Sequence, residues 1–301
     1  MATEFATVLD SLRANSRTDN DLGNSFEQLT KVFLENDDIQ KDEFSKVWHY
    51  SDWAKTQSNY SSIDIGIDLV AKLKKEGGFC AIQCKCFQAN RSVSKADLDS
   101  FISASATPDF KRLLLVDTSS LPLSKNAQKV FDNLETEFIR IQQSQLESSR
   151  INWTSFVNDG EIILKEKKTP LDHQIKAISA VKQGFSHSDR GKLIMACGTG
   201  KTFTSLSIVE EILNQSGKVL YMVPSLSLMS QTIREWKNDS KNMFNAFSAC
   251  SDKKVGKRKI KDDQIDINLN QLSFPATTNP EKLSEQVRKA ESGKLTVIFS
   301  T

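Results

Sequence analysis

The chain has 301 residues, 38% hydrophobic and 26% charged, with a formal net charge of +2. This is ordinary globular composition, long enough for roughly two domains of about 150 residues each, and it lacks the basic excess by which many nucleic-acid binders announce themselves. No run approaches the ~18 apolar residues of a membrane span and the opening Met-Ala-Thr-Glu-Phe is no signal peptide, so the expectation is a cytoplasmic protein with no membrane partner.

In chain order, Phe26, Leu29, Val32 and Phe33 recur at helical spacing over Ser25–Asn36, with Ser25 and Gln28 as a capping box. A strand pair follows, Ile65–Ala71 and Phe79–Cys86, around the turn-like Lys74-Lys75-Glu76-Gly77-Gly78. Lys95–Ala104 reads as a helix, Arg112–Val116 as a buried strand and Lys125–Leu134 as a helix. The polar run Gln142–Asn152 marks a boundary, giving a small α/β domain over 1–150 and a linker over 151–169. From residue 170 a different alternation begins: helix Asp172–Gln183, strand Lys192–Ala196, helix Thr202–Asn214, strand Lys218–Val223, helix Leu226–Lys237 and strand Leu295–Ser300. Strand–helix alternation implies a parallel sheet covered on both faces. Asp252–Asp263 is rich in lysine and reads as a solvated loop, with a DNA contact as the alternative. The five cysteines lack paired CxxC spacing and only three histidines are present, so reduced thiols are expected rather than a zinc centre.

The segment Leu193-Ile194-Met195-Ala196-Cys197-Gly198-Thr199-Gly200-Lys201-Thr202 runs from an apolar strand through a glycine-bearing loop into a helix. Glycines let successive backbone N–H groups face phosphates, and the helix N-terminus adds its positive end. Lys201 would reach the β- and γ-phosphates of ATP, Thr202 would ligate Mg²⁺, and Gly198, Thr199 and Gly200 would line the loop. The first glycine of the general pattern is replaced here, a form that superfamily-two helicases and translocases use. Pro170-Leu171-Asp172-His173-Gln174 resembles their adenine-reading Q motif, since the Gln174 amide offers both donor and acceptor. Val223-Pro224-Ser225-Leu226-Ser227-Leu228 with Gln231 resembles motif Ia, where a helix start meets the nucleic-acid backbone. No Asp-Glu Walker B element follows. Residues 170–301 are therefore read as the first part of a RecA-like motor domain, with weak ATP binding, negligible turnover and the remainder on a longer polypeptide.

In the first half, Ile63-Asp64-Ile65-Gly66-Ile67-Asp68-Leu69-Val70 and Ala81-Ile82-Gln83-Cys84-Lys85-Cys86 occupy adjacent strands. Side chains alternate faces, so Gln83 and Lys85 point the same way and Asp68 can meet them across the pair. Asp68 would hold Mg²⁺, Gln83 would offer its carbonyl oxygen and Lys85 would stabilise charge on a phosphate, with Glu27 adding a carboxylate. Asp64 is a rival to Asp68, and the plainer reading of Asp68 and Lys85 is a salt-bridged strand pair.

These residues resemble the Mrr-like branch of the PD-(D/E)XK nucleases, in which the last motif reads Gln-x-Lys rather than Glu-x-Lys. An Mrr-like nuclease followed by a helicase-type motor is similar to the N-terminal part of the Type ISP restriction–modification enzymes. The likeness rests on Gly23-Asn24-Ser25-Phe26-Glu27, on Asp64 to Ala71 with Ile82-Gln83-Cys84-Lys85, and on Arg190 to Thr202. It implies ATP-driven translocation on double-stranded DNA coupled to metal-dependent cleavage. It also implies an S-adenosylmethionine-dependent methyltransferase and target-recognition domain further along the polypeptide. The alternative is a non-cleaving DNA-binding or interaction module joined to a motor.

Overall fold

A computed structural model describes residues 3–63, 66–214, 216–250, 276–290 and 292–301. Asp64 and the basic run at 252–263 lie outside them. Contacts divide the chain into two compact units, the first running through Lys165 and the second starting at Glu166.

The first unit opens with α1 (Glu4–Asn15), α2 (Asp19–Asn36) and the short α3 (Gln40–Glu43). The cap of α2 is Thr18 with Asp21, not Ser25 with Gln28: Asp21 N donates to the Thr18 hydroxyl and Thr18 N to the Asp21 carboxylate, both at 3.1 Å. The earlier box adds almost two turns, Ser25 becomes an interior residue bonded to Asp21 O, and the stripe Phe26, Leu29, Val32 and Phe33 is buried as its spacing predicts.

β1 (Phe44–His49) and α4 (Tyr50–Ala54) follow, then β2 (Leu69–Leu73), β3 (Phe79–Lys85), α5 (Asp99–Ala104), β4 (Phe110–Asp117), α6 (Lys125–Asp132) and β5 (Glu137–Gln142). The strands form one sheet in sequence order, antiparallel for the first two pairings and parallel for the last two. Alternation along β3 sends Cys80, Ile82 and Cys84 into a core with Phe26, Phe33 and Leu29 of α2. Ala81 faces the opposite core, with Phe101, Phe131 and Trp53. α5 starts four residues later than predicted because Ser94 N and Oγ are tied to the Asp97 carboxylate at 2.8 and 2.7 Å in a local turn.

α7 (Gln143–Glu147) and α8 (Trp153–Asp159) complete this unit. The stretch 151–169, expected as a linker, thus begins with a helix whose Trp153 is fully buried. Its ring meets Phe5 of α1 at 5.0 Å and its Nε1 donates to Leu146 O.

The second unit contains α9 (Asp172–Phe185), α10 (Lys201–Leu213), β6 (Gly217–Met222), α11 (Leu226–Asp239), β7 (Asn245–Ala249), α12 (Pro280–Arg288) and β8 (Leu295–Ser300). Its sheet is parallel, in the order β6-β8-β7. Central β8 buries Val297 and Phe299, and Trp236 of α11 packs edge-on to Phe299 at 5.5 Å and to Tyr221 of β6 at 5.0 Å. The strand expected over Lys192–Ala196 does not form: 192–196 is irregular, and Ile194 is 90% exposed. A strand needs a partner ladder and a covered face, and neither reaches this segment among the described residues. No helix among them is long and apolar enough to cross a membrane.

Candidate functional site

The first site lies where β2 begins and β3 ends. Leu69 pairs with Ile82, so one position beyond the start of β2 Asp68 falls opposite Gln83, and Asp68 N donates to Ile82 O at 3.0 Å. Asp68 Oδ2 accepts hydrogen bonds from Gln83 Nε2 and, at 2.6 Å, from Cys84 N. Gln83 is 3% exposed and its Oε1 has no hydrogen-bond partner. A buried oxygen left so costs about 1–3 kcal/mol, which a hard cation beside Asp68 would recover. Carboxylate plus amide oxygen is the donor chemistry Mg²⁺ takes, so the residues fit the ion.

Lys85 follows on the same face as Gln83, its carbonyl accepting from Thr118 N and Phe87 N, both at 3.2 Å. The Cys84 thiol locates the surrounding charges. Burial pushes it well above its ordinary value, Asp68 and then Glu27 push it further, and Lys85 opposes them. One thiol on β3 therefore feels all three charged groups expected in the site. Glu27 reaches this edge from α2, with its Oε2 at 3.7 Å from His49 Nδ1. Lys85 also acts on Asp97: burial works against that carboxylate, but hydrogen bonds from Ser94 and the charges of Arg91 and Lys85 hold it below its ordinary value. Among the described residues no three His, Cys, Asp or Glu side chains gather around one point, so any cation here leans on amide oxygen or water.

Beside Lys85 in the ladder stands Asp117, fully buried and gripped by Arg140 through Nε at 2.7 Å and Nη2 at 2.9 Å. Burial nonetheless raises its carboxyl above the ordinary value. This pair stiffens the ends of β4 and β5 next to the site. Sequence reading passed over both Asp117 and His49. A lone Asp at a strand end and a lone His carry no signal until the register sets them beside Lys85 and Glu27.

The second site is the glycine loop. Gly198 and Gly200 both sit at φ +77°, the left-handed region glycine enters without a Cβ penalty. Lys201, exposed at the start of α10, points back to Met195 O and Ala196 O at 3.4 and 3.3 Å. Thr202 O accepts from Trp236 Nε1 at 3.1 Å, and Thr199 Oγ1 donates to Ala196 O at 2.8 Å. Gln174, 5% exposed, is brought to this loop. Its Nε2 donates to Thr199 O at 3.0 Å and its Oε1 accepts from Leu171 N at 2.9 Å. Each end of the amide keeps a second hydrogen-bonding position. His173, its neighbour in the same motif, also lies against Thr199 O at 3.1 Å. Downstream, the expected motif Ia serine, Ser225, caps α11 by accepting from Leu228 N.

Comparison with known proteins agrees with this division. Residues 35–163 match the Mrr_cat_2 family, restriction endonuclease, and residues 167–299 match the ResIII family, Type III restriction enzyme, res subunit. A probable helicase of African swine fever virus (isolate Tick/South Africa/Pretoriuskop Pr4/1996) is 32% identical over 130 residues, 42% of this chain and 14% of its own length. The structure described as the ATP-dependent Type ISP restriction-modification enzyme LlaBIII bound to DNA is 31% identical. It matches with a TM-score of 0.77 over 97% of this chain and 18% of that one. A nuclease-deletion mutant of the Type ISP enzyme LlaGI, in complex with a DNA substrate mimic, is 35% identical over 44% of this chain and 13% of its own, with a TM-score of 0.36. The chain thus spans less than a fifth of the length of these relatives. It joins a restriction-endonuclease domain to a helicase-like domain of the res-subunit type, in the fold of the Type ISP restriction–modification enzymes.

Proposed function

We propose that the first unit hydrolyses DNA phosphodiester bonds with Mg²⁺, and that the second binds ATP and Mg²⁺ as part of a motor translocating on double-stranded DNA. The observation that carries the nuclease reading is the pairing of Asp68 with Gln83, whose buried oxygen lacks a donor, one strand position pair from Lys85. Asp68 and Gln83 would hold the ion, which when bound polarises the phosphate and acidifies water. Asp68 supplies negative charge and Gln83 a neutral oxygen. Lys85 offsets the charge that gathers on the non-bridging phosphate oxygens as a water oxygen bonds to phosphorus, losing its proton to solvent, and the bond to a deoxyribose oxygen breaks, that oxygen taking up a proton from solvent. Glu27 supplies a further carboxylate at the margin.

In the second unit the backbone at Gly198, Thr199 and Gly200 cradles phosphate, Lys201 turns from its own loop carbonyls to the β- and γ-phosphates, and Thr202 offers its hydroxyl to Mg²⁺. Gln174, already at the loop, reads adenine with its remaining donor and acceptor. DNA as the partner is supported by the DNA-bound state of LlaBIII. Coupling of translocation to cleavage, and methylation by S-adenosylmethionine, belong to a longer polypeptide of that type.

The test is incubation of the 301-residue chain, and of Asp68→Ala and Lys85→Ala, with supercoiled plasmid in Mg²⁺ or Mn²⁺. The expected result is nicking by the parent and by neither variant. A folded parent that retains plasmid in a gel shift but never nicks it, with either metal, would replace the reading with that of a non-cleaving DNA-binding module.

A further inference from the structure

His49 ends β1 and pairs in register with Leu69, the residue after Asp68. The next backbone group, Tyr50 N, donates to Asp68 O at 2.9 Å. Both ring nitrogens of His49 face α2: Nδ1 lies 3.7 Å from Glu27 Oε2, and Nε2 lies 3.3 Å from Gln28 Oε1. A single half-buried imidazole thus joins the helix bearing Glu27 to the strand edge bearing Asp68. Burial, reinforced by Lys31, keeps this histidine's affinity for protons below the ordinary value while Asp52 and Glu35 oppose. A neutral imidazole has one N–H, and Gln28 can present either its oxygen or its amide nitrogen to Nε2. The pair therefore accepts the tautomer that turns Nδ1–H toward Glu27.

We infer that His49 is a positioning residue of the nuclease site, holding the Glu27 carboxylate toward the cation site formed by Asp68 and Gln83. This rests on the nuclease reading above. Glu27 sits on a helix and Asp68 on a strand, so the distance between their carboxylates is set by how α2 docks and by the Glu27 rotamer. The docking is fixed by the buried stripe of α2, and the rotamer answers to the side chains around Glu27, His49 among them. At 3.7 Å the His49–Glu27 contact is longer than a hydrogen bond in this structure, and it shortens to one with a small turn of either side chain. Polar neighbours that orient a metal's carboxylate typically change metal affinity or activity 10–100-fold when removed.

The test uses the 301-residue chain with two readouts: the Mg²⁺ concentration giving half-maximal plasmid nicking, and Mn²⁺ binding followed by loss of the free-ion electron paramagnetic resonance signal. His49→Ala is expected to raise the Mg²⁺ requirement about tenfold and to weaken Mn²⁺ binding by a similar factor, with a smaller loss of rate at saturating Mg²⁺. His49→Asn, which places an amide N–H where Nδ1 stood, is expected to recover most of the affinity. In a Glu27→Ala background, His49→Ala is expected to add nothing further. Unchanged metal dependence in His49→Ala, or His49→Asn as impaired as His49→Ala in a folded protein, would overturn the inference. A parent that binds Mn²⁺ without nicking, and loses that binding in His49→Ala alone, would keep the inference and defeat the cleavage reading. A parent with neither property would overturn both.

Discussion

At the scale of single residues, two glycines with the same φ make different demands. A Cβ on Gly200 would lie 2.4 Å from Gln174 Nε2, whereas one on Gly198 would meet nothing within 4 Å. Both alanine variants carry the left-handed backbone cost of about 1–3 kcal/mol, but only Gly200→Ala also displaces Gln174 from Thr199 O. Gly200→Ala is expected to lose binding of a fluorescent ATP analogue at least tenfold more than Gly198→Ala, in a titration run beside a thermal melt. A second residue-scale case is Arg112, 2% exposed and holding Glu137, Glu43 and Glu76 at 2.7, 3.1 and 3.3 Å. Burial opposes charge on Glu43, yet Lys75 and Arg112 overcome it and hold the carboxyl below its ordinary value. A depressed carboxyl stabilises the fold above its unfolded pKa and loses that contribution as pH falls through the folded one. Arg112→Ala leaves three carboxylates facing one another and is expected to cost about 3–5 kcal/mol at neutral pH. Because the deprived carboxylates would then bind protons more tightly folded than unfolded, that cost should shrink as pH falls toward ~4. Urea denaturation of both proteins across this range checks the sign.

At the scale of elements, α8 is the instructive case. Its seven residues are too few to be stable alone, and its main anchor is Trp153, fully buried against Phe5, with its N–H on Leu146 O, while Phe156 packs beside it against the same core. Trp153→Ala is expected to cost about 3–5 kcal/mol and to raise amide exchange in α1 and α8 before that in β3 and β4, as read by hydrogen–deuterium exchange. The run before it reads as a boundary because polarity suggests exposure, yet between 142 and 152 only Ser144 and Ser148 are exposed, while Leu146, Ser149 and Ile151 are buried. β6 fails expectation in the opposite way. Its pattern is apolar, but Leu220 and Met222 are 64% and 68% exposed, because they share with Lys218 the face of the strand that is left uncovered among the described residues, while Val219 and Tyr221 take the covered one.

At the scale of the whole molecule, the first unit carries its own two-faced core around a five-stranded sheet, and its proposed nuclease groups all lie within it. A polypeptide of residues 1–165 is therefore expected to unfold cooperatively in urea and to retain any plasmid nicking shown by the 301-residue chain. One ending at residue 150 lacks Trp153 and should be destabilised by several kcal/mol. A two-point comparison of melting curves separates these outcomes.

Local chemistry was legible in the chain itself. The glycine loop with Lys201 and Thr202, the alternation of Gln83 and Lys85, and the helical stripe of α2 each depend on spacings of a few residues, which short-range backbone geometry enforces. Tertiary structure alone decided what depends on register and docking. It brought His49 to the edge where Glu27 and Asp68 were expected, buried Trp153, and left 192–196 without a ladder. Those outcomes join residues far apart in the chain, and the free energy that selects among such pairings comes from burial and hydrogen bonding across elements, to which no local pattern has access.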